Sequence, residues 1–279
     1  GIIGLPNVGK STLFNALLKK RVALSANYPF ATVEPNVGVV AVPDGRLSKL
    51  GELVKEEEKM DSLPPLVPAV VEFVDIAGLV KGAYKGEGLG NQFLSHIREV
   101  DAIVHVLRDF EDPNVVRAGA ENPDADKLTV ETELGLADLQ TLEKLVLATE
   151  KEARGSKDPL EAEKLQILKQ VQDGLNGGRV VGGEFHIGDD RLRDWFEKLP
   201  LLSLKPVLYV RNVNENVIPD LIGNPDPRFH EDDSLVICAK LEEELVDLSE
   251  SERIEYLKSV GLLETGLERL IRAAYQLLG

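Results

Sequence analysis

The segment Gly4-Leu5-Pro6-Asn7-Val8-Gly9-Lys10-Ser11-Thr12 decides the fold of this chain. It lies between the apolar pair Ile2-Ile3 and the helical pattern Leu13-Phe14-Asn15-Ala16-Leu17-Leu18, which gives the order strand, glycine-rich loop and helix. Glycines let such a loop curl until successive N–H groups point into one concavity at a helix N-terminus, where the helix dipole favours phosphate. An ordinary glycine-rich turn is the alternative, but the spacing G-x-x-x-x-G-K-S in this setting favours a phosphate loop for a nucleoside triphosphate.

The residue types in this loop predict the role of each position. Lys10 is expected to reach the β- and γ-phosphates in binding and catalysis, and the Ser11 hydroxyl is expected to ligate Mg²⁺. The other loop residues expected to contact the nucleotide are Asn7, Val8, Gly9 and Thr12.

The composition narrows the class of protein. The 279 residues carry a formal net charge of -16, so no global attraction to nucleic acid or to an anionic membrane is expected. Cys238 is the only cysteine, which rules out an internal disulfide and fits a reducing compartment. No apolar run approaches the roughly twenty residues of a membrane span. We expect a cytoplasmic protein with no membrane partner and no sequence-specific DNA binding.

Apolar runs of strand character recur along the chain and alternate with helical or turn-rich segments. They span 37–42, 69–74, 102–107, 206–210 and 235–238. This alternation is typical of a mostly parallel sheet flanked by helices, in which ligands lie beyond the carboxyl ends of the strands. The sequence therefore predicts an α/β protein with the P-loop NTPase fold.

A second motif follows the strand pattern that begins at Val71. Asp75 ends this pattern and Gly78 comes three positions later, as in the switch of a P-loop NTPase. In that interpretation Asp75 holds a Mg²⁺-bound water, and the Gly78 N–H meets the γ-phosphate. An aspartate that only caps the next turn is the alternative, but the upstream phosphate loop favours the switch. Thr32, in the loop between the two motifs, is the expected second protein ligand of Mg²⁺.

Four stretches of this sequence resemble the TRAFAC GTPases and, among them, the YchF family of Obg-like ATPases. They are residues 4–17, 27–32, 73–83 and 86–94. The similarity extends through nearly all of the chain and is very specific. It implies a Ras-like nucleotide-binding domain interrupted by a helical insert, hydrolysis used as a switch, and the ribosome as a partner.

The loop after the strand pattern 206–210 bears on base preference. GTPases have Asn-Lys-x-Asp there: the lysine stem packs on guanine, and the aspartate accepts from guanine N1–H and N2–H₂. This chain has Asn212-Val213-Asn214-Glu215, which lacks the lysine and moves the carboxylate one methylene outward. Because adenine lacks two adjacent donors, the altered loop favours ATP, with GTP weaker. A degenerate loop that still binds guanine stays open. The expected base contacts are Asn212, Val213 and Glu215.

A second loop near the base is Cys238-Ala239-Lys240, which resembles the Ser-Ala-Lys loop of GTPases. All three residues are expected at the nucleotide, mainly through backbone N–H. A small, buried role for Cys238 is favoured over a reactive thiol.

The catalytic group departs from the Ras-like pattern. Leu79 stands where those enzymes have a glutamine that orients the attacking water, so another group must do this or turnover is slow. The YchF family usually carries a histidine after the fourth strand, and the matching position here is Arg117. A guanidinium can stabilise phosphate charge but cannot act as a base; a merely solvated loop charge is the alternative. The expected catalytic set is Lys10, Gly78 and Arg117.

Asn7 has two interpretations. In some related GTPases the matching residue helps to coordinate a monovalent cation, which would make K⁺ a second cofactor. A hydrogen bond within the loop explains Asn7 equally well. The four histidines of the chain show no metal-ligand spacing, so no zinc site is expected.

A helical insert is predicted over 123–202. Its first segment has Leu139, Leu142, Val146 and Thr149 at 3-4-3 spacing, and its second places Leu165, Leu168, Val171 and Leu175 on one face. Joined through 155–158, the two helices predict an antiparallel hairpin, with Gly177-Gly178 ending the second. The nucleotide-binding domain would comprise 1–122 and 203–279 and close with a helix over 266–278. Family members normally continue into a TGS domain, which is not part of this sequence.

Two functional classes stay open from the sequence. One is a Mg²⁺-dependent ATPase whose hydrolysis resets a conformational switch. The other is a nucleotide-gated binding module, in which ATP occupancy alone sets the affinity for a ribosomal or stress-related partner.

Overall fold

The computed structural model describes residues 1–25, 36–76, 78, 89–119, 122–156, 158–178, 187–218 and 234–279. Its strands are β1 (Ile2–Ile3), β2 (Val37–Ala41), β3 (Val70–Val74), β4 (Ile103–Asp109), β5 (Val207–Val213) and β6 (Leu235–Ile237). Its helices are α1 (Lys10–Ser25), α2 (Gly45–Glu57), α3 (Leu89–Glu99), α4 (Pro123–Gly155), α5 (Pro159–Asn176), α6 (Asp190–Glu197), α7 (Ala239–Val246), α8 (Glu250–Ser259) and α9 (Gly266–Leu278). The predicted metal ligand Thr32 lies outside the described residues, and so does Leu79, which stands where Ras-like enzymes have a water-orienting glutamine.

The strands form a mostly parallel sheet, as predicted. Four of them pair in the order β1-β4-β5-β6, all parallel. An antiparallel pair, β2-β3, joins this sheet beside β1, because Ile2 forms a parallel bridge with Asp75 and its carbonyl accepts from Ile76 N at 3.1 Å. The carboxyl ends of β1, β3, β4, β5 and β6 therefore meet at one edge of the sheet. The phosphate loop, Asp75 and both predicted base loops all follow these ends.

The sheet and its flanking helices share one apolar core. Helices α1, α4 and α9 contact the strands directly. Fully buried members of this core include Ile3, Leu17, Phe73, Ile97 and Leu270, one from each of five different elements. Helix α9 begins at Gly266, as predicted, and a capping box between Thr265 and Glu268 fixes its start.

Strand β5 is longer than predicted and ends at Val213. Arg211, Asn212 and Val213 continue the parallel pairing with β4, opposite Leu107, Arg108 and Asp109. The sequence did not indicate this extension because two of the three added residues are polar, yet all three are buried. The first half of the predicted base loop is consequently held by sheet hydrogen bonds.

Helices α4 and α5 form the predicted hairpin, which we call the helical arm. Each helix has an N-cap side chain followed by proline at its first position: Asn122 before α4 and Asp158 before α5. Leu142, Val146, Leu168 and Val171 form a second apolar cluster between the two helices. Gly177 follows the last residue of α5, as expected.

The first half of α4 packs against the sheet. Val130, Leu134 and Ala137 belong to the main core, whereas Leu142 and Val146 belong to the second cluster. The buried Asp138 carboxylate fixes the return of the chain, accepting from Leu202 N at 2.7 Å and Ser203 N at 2.8 Å. The domain limits at 123 and 203 stay a prediction, and this packing roots the arm within the sheet core. Within the described ranges, no helix is long and apolar enough to cross a bilayer.

Candidate nucleotide-binding site

Two adjoining cavities open at the carboxyl edge of the sheet, and together we call them the cleft. The first, of about 470 Å³, is lined by Leu5, Pro6, Asn7, Gly9, Lys10, Ser11, Thr12, Gly78, Phe110 and Val115. The second, of about 570 Å³, is lined by Gly9, Thr12, Phe110, Asp112, Val115, Asn212, Val213, Asn214, Glu215, Asn216, Cys238, Ala239, Lys240 and Glu243. Because four residues line both cavities, the cleft is continuous from the phosphate loop to the predicted base loops. Its two halves suit a triphosphate and a base.

The phosphate loop has the curled backbone that its glycines predict. Gly9 has φ +90°, and a Cβ there would overlap the side-chain amide of Asn212. A Cβ at Gly4 would lie 2.7 Å from the carbonyl oxygen of Val106 on β4. Both positions therefore require glycine, the first for its dihedral angle and the second for the close approach of β4. Helix α1 begins at Lys10, so its free N–H groups face the first cavity.

Lys10 and Asp75 form an ion pair at the head of the cleft. The ammonium Nζ lies 2.6 Å from Oδ1 of Asp75, and the two side chains are only 10% and 18% exposed. Ser11 lies beside them, exposed and lining the first cavity. The structure thus brings together the predicted phosphate cation and two predicted metal ligands, from two motifs 65 residues apart. Gly78 lines the same cavity.

The side-chain amide of Asn7 makes a hydrogen bond that neither interpretation predicted. Its Nδ2 donates to the carbonyl of Val116 at 3.1 Å, so the hydrogen bond leaves the phosphate loop rather than closing it. Asn7 itself has φ +63°, a left-handed conformation that asparagine tolerates better than most residues. The amide therefore links the loop to the segment after β4.

Asn212 connects the two halves of the cleft. Its Nδ2 donates to the carbonyl of Val8 in the phosphate loop at 2.9 Å, and its Oδ1 accepts from Ala239 N at 2.9 Å. The side chain is 5% exposed. Asn212 was predicted as a base contact, but these atoms are engaged within the protein. The Ala239 N–H, which was expected to face the nucleotide, is engaged in the same bridge.

The remaining base-loop residues line the second cavity, but their side chains are not equivalent. Val213 is 3% exposed and packs in a third apolar cluster with Cys238 and Leu257. Burial raises the pKa of the Cys238 thiol, which agrees with the predicted structural role. Glu215 is exposed, and its Oε1 accepts from the Tyr256 hydroxyl at 2.8 Å. Lys240 also lines the cavity.

Sequence reasoning missed the segment 110–116, which we call the rim loop. Phe110 and Val115 line both cavities, and Asp112 lines the second. The rim loop is tied to the base loop, because Asn214 and Glu111 exchange hydrogen bonds of 2.9 and 3.1 Å. The only sequence signal was the aromatic residue directly after β4, which by itself indicates nothing more than a loop.

A buried arginine holds the rim loop from behind. Arg108 is 4% exposed, and its guanidinium donates to the carbonyls of Phe110, Val115 and Val116 at 3.3, 3.0 and 3.3 Å. Its Cζ also lies 4.4 Å from the centre of the Phe110 ring. Hydrogen bonds from a charged donor are stronger than neutral ones, so this contact orders the loop.

Arg117 makes contacts that the sequence did not predict. Its Nη2 lies 3.2 Å from Oδ2 of Asp126, in the first turn of α4, and donates to the carbonyl of Arg108 at 3.4 Å. The Asp126 carboxylate is 2% exposed. Arg117 is absent from the described lining of the cleft. It is therefore not a merely solvated charge, because it joins the rim region to the root of the helical arm; its expected role in catalysis stays a prediction.

The Asn212 bridge yields a stability prediction. Asn212→Ala would leave the Val8 carbonyl and the Ala239 N–H without their partner, at about 1–3 kcal/mol for each buried group. We expect the free energy of unfolding, measured by urea denaturation, to fall by about 2 kcal/mol or more. Asn214→Ala is the matched control, since its cross-link is exposed, and it should cost less than about 1 kcal/mol. An equal fall in the free energy of unfolding in the two variants would show that the Asn212 bridge stabilises the fold no more than an exposed hydrogen-bonded pair does.

Comparisons with known proteins agree with this fold. Residues 1–151 match the family model described as 50S ribosome-binding GTPase. The chain is 46% identical to the ribosome-binding ATPase YchF of Bacillus subtilis strain 168, and 44% identical to that of Escherichia coli O157:H7. Each alignment covers 100% of this chain and 75% of the relative.

A solved structure gives the same result. The YchF GTPase of Schizosaccharomyces pombe superposes with a TM-score of 0.78 at 32% identity, over 100% of this chain and 75% of that one. With identities of this size over its whole length, the chain belongs to the YchF family of P-loop NTPases.

Proposed function

We propose that this protein is a Mg²⁺-dependent switch that binds and hydrolyses ATP and acts with the ribosome. The observation that carries the proposal is the grouping of Lys10, Ser11 and Asp75 at the head of a cleft that runs on to the predicted base loops. The names of the relatives, ribosome-binding ATPases, support both the reaction and the partner.

The residues at the head of the cleft fit a magnesium ion. Mg²⁺ prefers oxygen ligands and is commonly held by one or two protein groups together with substrate phosphates. Ser11 offers an exposed hydroxyl, and Asp75 offers a partly exposed carboxylate within reach of the same cavity. When bound, the ion would neutralise charge on the phosphate oxygens. Thr32 belongs to this proposal as a further ligand. No described contact supports K⁺.

Triphosphate binding would replace the Lys10–Asp75 ion pair with two new interactions. The ammonium of Lys10 would turn to the phosphates, and the carboxylate of Asp75 would turn to the ion or its water. Both groups are largely shielded from solvent, so an unpaired charge on either would be costly. A concerted exchange avoids this cost because each group gains a new partner as it loses the old one. The Gly78 N–H and the N–H groups at the start of α1 add uncharged donors to the phosphates.

The base half of the cleft supports ATP over GTP. Phe110 offers apolar contact, whereas the loop 212–215 has no lysine whose stem could pack on the base. Glu215 is the only acidic residue of the loop 212–215, and its carboxylate already accepts a hydrogen bond from Tyr256. A guanine would therefore meet a poorly matched edge.

Slow intrinsic hydrolysis is part of the proposal. Arg117 is engaged by Asp126, and Leu79 cannot orient water, so neither supplies a group that positions the attacking water. A partner that completes the site would convert a slow ATPase into a regulated switch. The second candidate function is a binding module with negligible turnover. It is favoured by the same observation, that neither Arg117 nor Leu79 positions the attacking water.

The ribosome as partner must be recognised locally rather than by overall charge. A chain of net charge -16 is repelled by RNA at long range, so contact requires a defined surface. The helical arm, rooted beside the cleft, is our candidate for that surface. A ribosomal partner implies a cytoplasmic protein, which we include in the proposal.

Lys10→Ala tests the phosphate site. Removal of the only described cation at the head of the cleft should weaken ATP binding by about 100-fold or more, because a charged contact is lost from a shielded site. Isothermal titration calorimetry with Mg²⁺ measures this. Lys169→Ala removes an ammonium that pairs with Glu150 on the helical arm, outside the cleft, and should leave ATP affinity unchanged. Unchanged affinity in Lys10→Ala would refute the assignment.

Competition binding tests the base preference. Unpaired polar groups cost about 1–3 kcal/mol each, so ATP should displace a fluorescent nucleotide at about 10- to 100-fold lower concentration than GTP. Equal or better competition by GTP would overturn the ATPase proposal and leave the P-loop fold untouched.

Single-turnover hydrolysis separates the switch from the binding module. We expect slow cleavage of ATP by the protein alone and an increase of at least about ten-fold with ribosomes, since the missing water-positioning group must come from outside the described cleft. The Lys10→Ala variant serves as the blank. A rate that equals this blank with and without ribosomes would favour the binding module.

A further inference from the structure

The base loop is contacted by a helix that lies outside the two loops expected to recognise the base. Tyr256, on α8, donates its hydroxyl to Oε1 of Glu215 at 2.8 Å. The two residues are 41 positions apart in the sequence. Glu215 lines the second cavity, so this contact decides where its carboxylate points.

Tyr256 is well placed to control that carboxylate. Helix α8 starts at a capping box in which Ser249 N donates to Glu252 Oε2 at 2.9 Å. The neighbouring Leu257 is 6% exposed and packs in the same apolar cluster as Val213, so α8 is anchored directly to the base loop. The phenol is thus presented from a fixed helix rather than from a loop.

The hydroxyl remains a donor at neutral pH. Partial burial, the hydrogen bond to Glu215 and the charge of Glu215 together raise the pKa of Tyr256 to about 12. An ionised carboxylate can only accept, so the direction of this hydrogen bond is fixed: Tyr256 donates and Glu215 accepts.

Adenine and guanine respond in opposite ways to a carboxylate at this edge. Guanine presents N1–H and N2–H₂, two adjacent donors that a free carboxylate can accept together. Adenine presents N1, an acceptor, so a carboxylate that faces it sets one lone pair against another. Turning the carboxylate aside therefore raises the affinity of the cleft for ATP and lowers its affinity for GTP.

We propose that Tyr256 is a specificity-determining residue, which holds the Glu215 carboxylate on α8 and away from the base edge. The hydroxyl occupies one carboxylate oxygen and fixes the orientation of the other, which denies guanine its paired acceptors and spares adenine a repulsive contact. This inference rests on the proposed preference for ATP. It explains how a loop that still carries an acidic residue at its fourth position discriminates against guanine.

The test is the ratio of the dissociation constants for ATP and GTP in Tyr256→Phe. Loss of the hydroxyl frees the carboxylate, so the ratio should shift toward GTP by about 3- to 10-fold, the effect expected for one net hydrogen bond. The same substitution in a Glu215→Ala background should leave the ratio unchanged, because the group through which Tyr256 acts is gone. Tyr275→Phe, which removes an exposed hydroxyl on α9, is the matched control and should have no effect.

The outcomes distinguish this inference from the proposed function. A shift in Tyr256→Phe that disappears in the Glu215→Ala background supports the inference. An unchanged ratio, or an equal shift in both backgrounds, overturns it while the ATP preference of the unmodified protein stands. If the unmodified protein binds GTP as well as ATP, the proposed base preference fails and the inference falls with it. Thermal unfolding of each variant confirms that the compared proteins are folded.

Discussion

The buried amide of Asn212 is the contact on which the geometry of the cleft depends. It joins the phosphate loop to the first residue of α7 through two hydrogen bonds of 2.9 Å. These two segments follow different strands, and the strands alone fix only their starting points. A single side chain with one donor and one acceptor sets the distance between them, and the absence of a Cβ at Gly9 leaves it the room to do so. The distance between the phosphate half and the base half of the cleft is therefore fixed.

A second set of contacts connects the phosphate loop to the helical arm. Asn7 donates to the carbonyl of Val116, and Arg117 pairs with Asp126 in the first turn of α4. At Gly119, which has φ +138°, a Cβ would lie 2.7 Å from the side chain of Leu5 and 2.5 Å from that of Asp126. The phosphate loop, the segment after β4 and the root of the arm are thus in direct contact. A movement of the phosphate loop on nucleotide binding would therefore be transmitted to the root of the helical arm through direct contacts.

Much of the fold could be predicted from the sequence. The phosphate loop, the strand pattern, the arm hairpin and the closing helix depend on local rules: glycine at fixed spacing, apolar periodicity and capping residues. The predicted positions of Lys10, Ser11 and Asp75 also follow from these rules, because parallel strands bring their carboxyl ends to one edge. The rim loop was missed because its ordering depends on Arg108, a residue that belongs to a buried strand and carries no local signal.

The sequence by itself determined which chemistry the cleft can hold, since the order strand, phosphate loop, helix and acidic switch is written in short segments. Only the tertiary structure decided what the polar side chains around that chemistry do. Asn212 bridges to a residue 204 positions away, Asn7 to one 109 positions away, and Glu215 to one 41 positions away. A hydrogen bond acts over about 3 Å in space and is indifferent to separation along the chain. Such partners exist only once the sheet has brought the loops together.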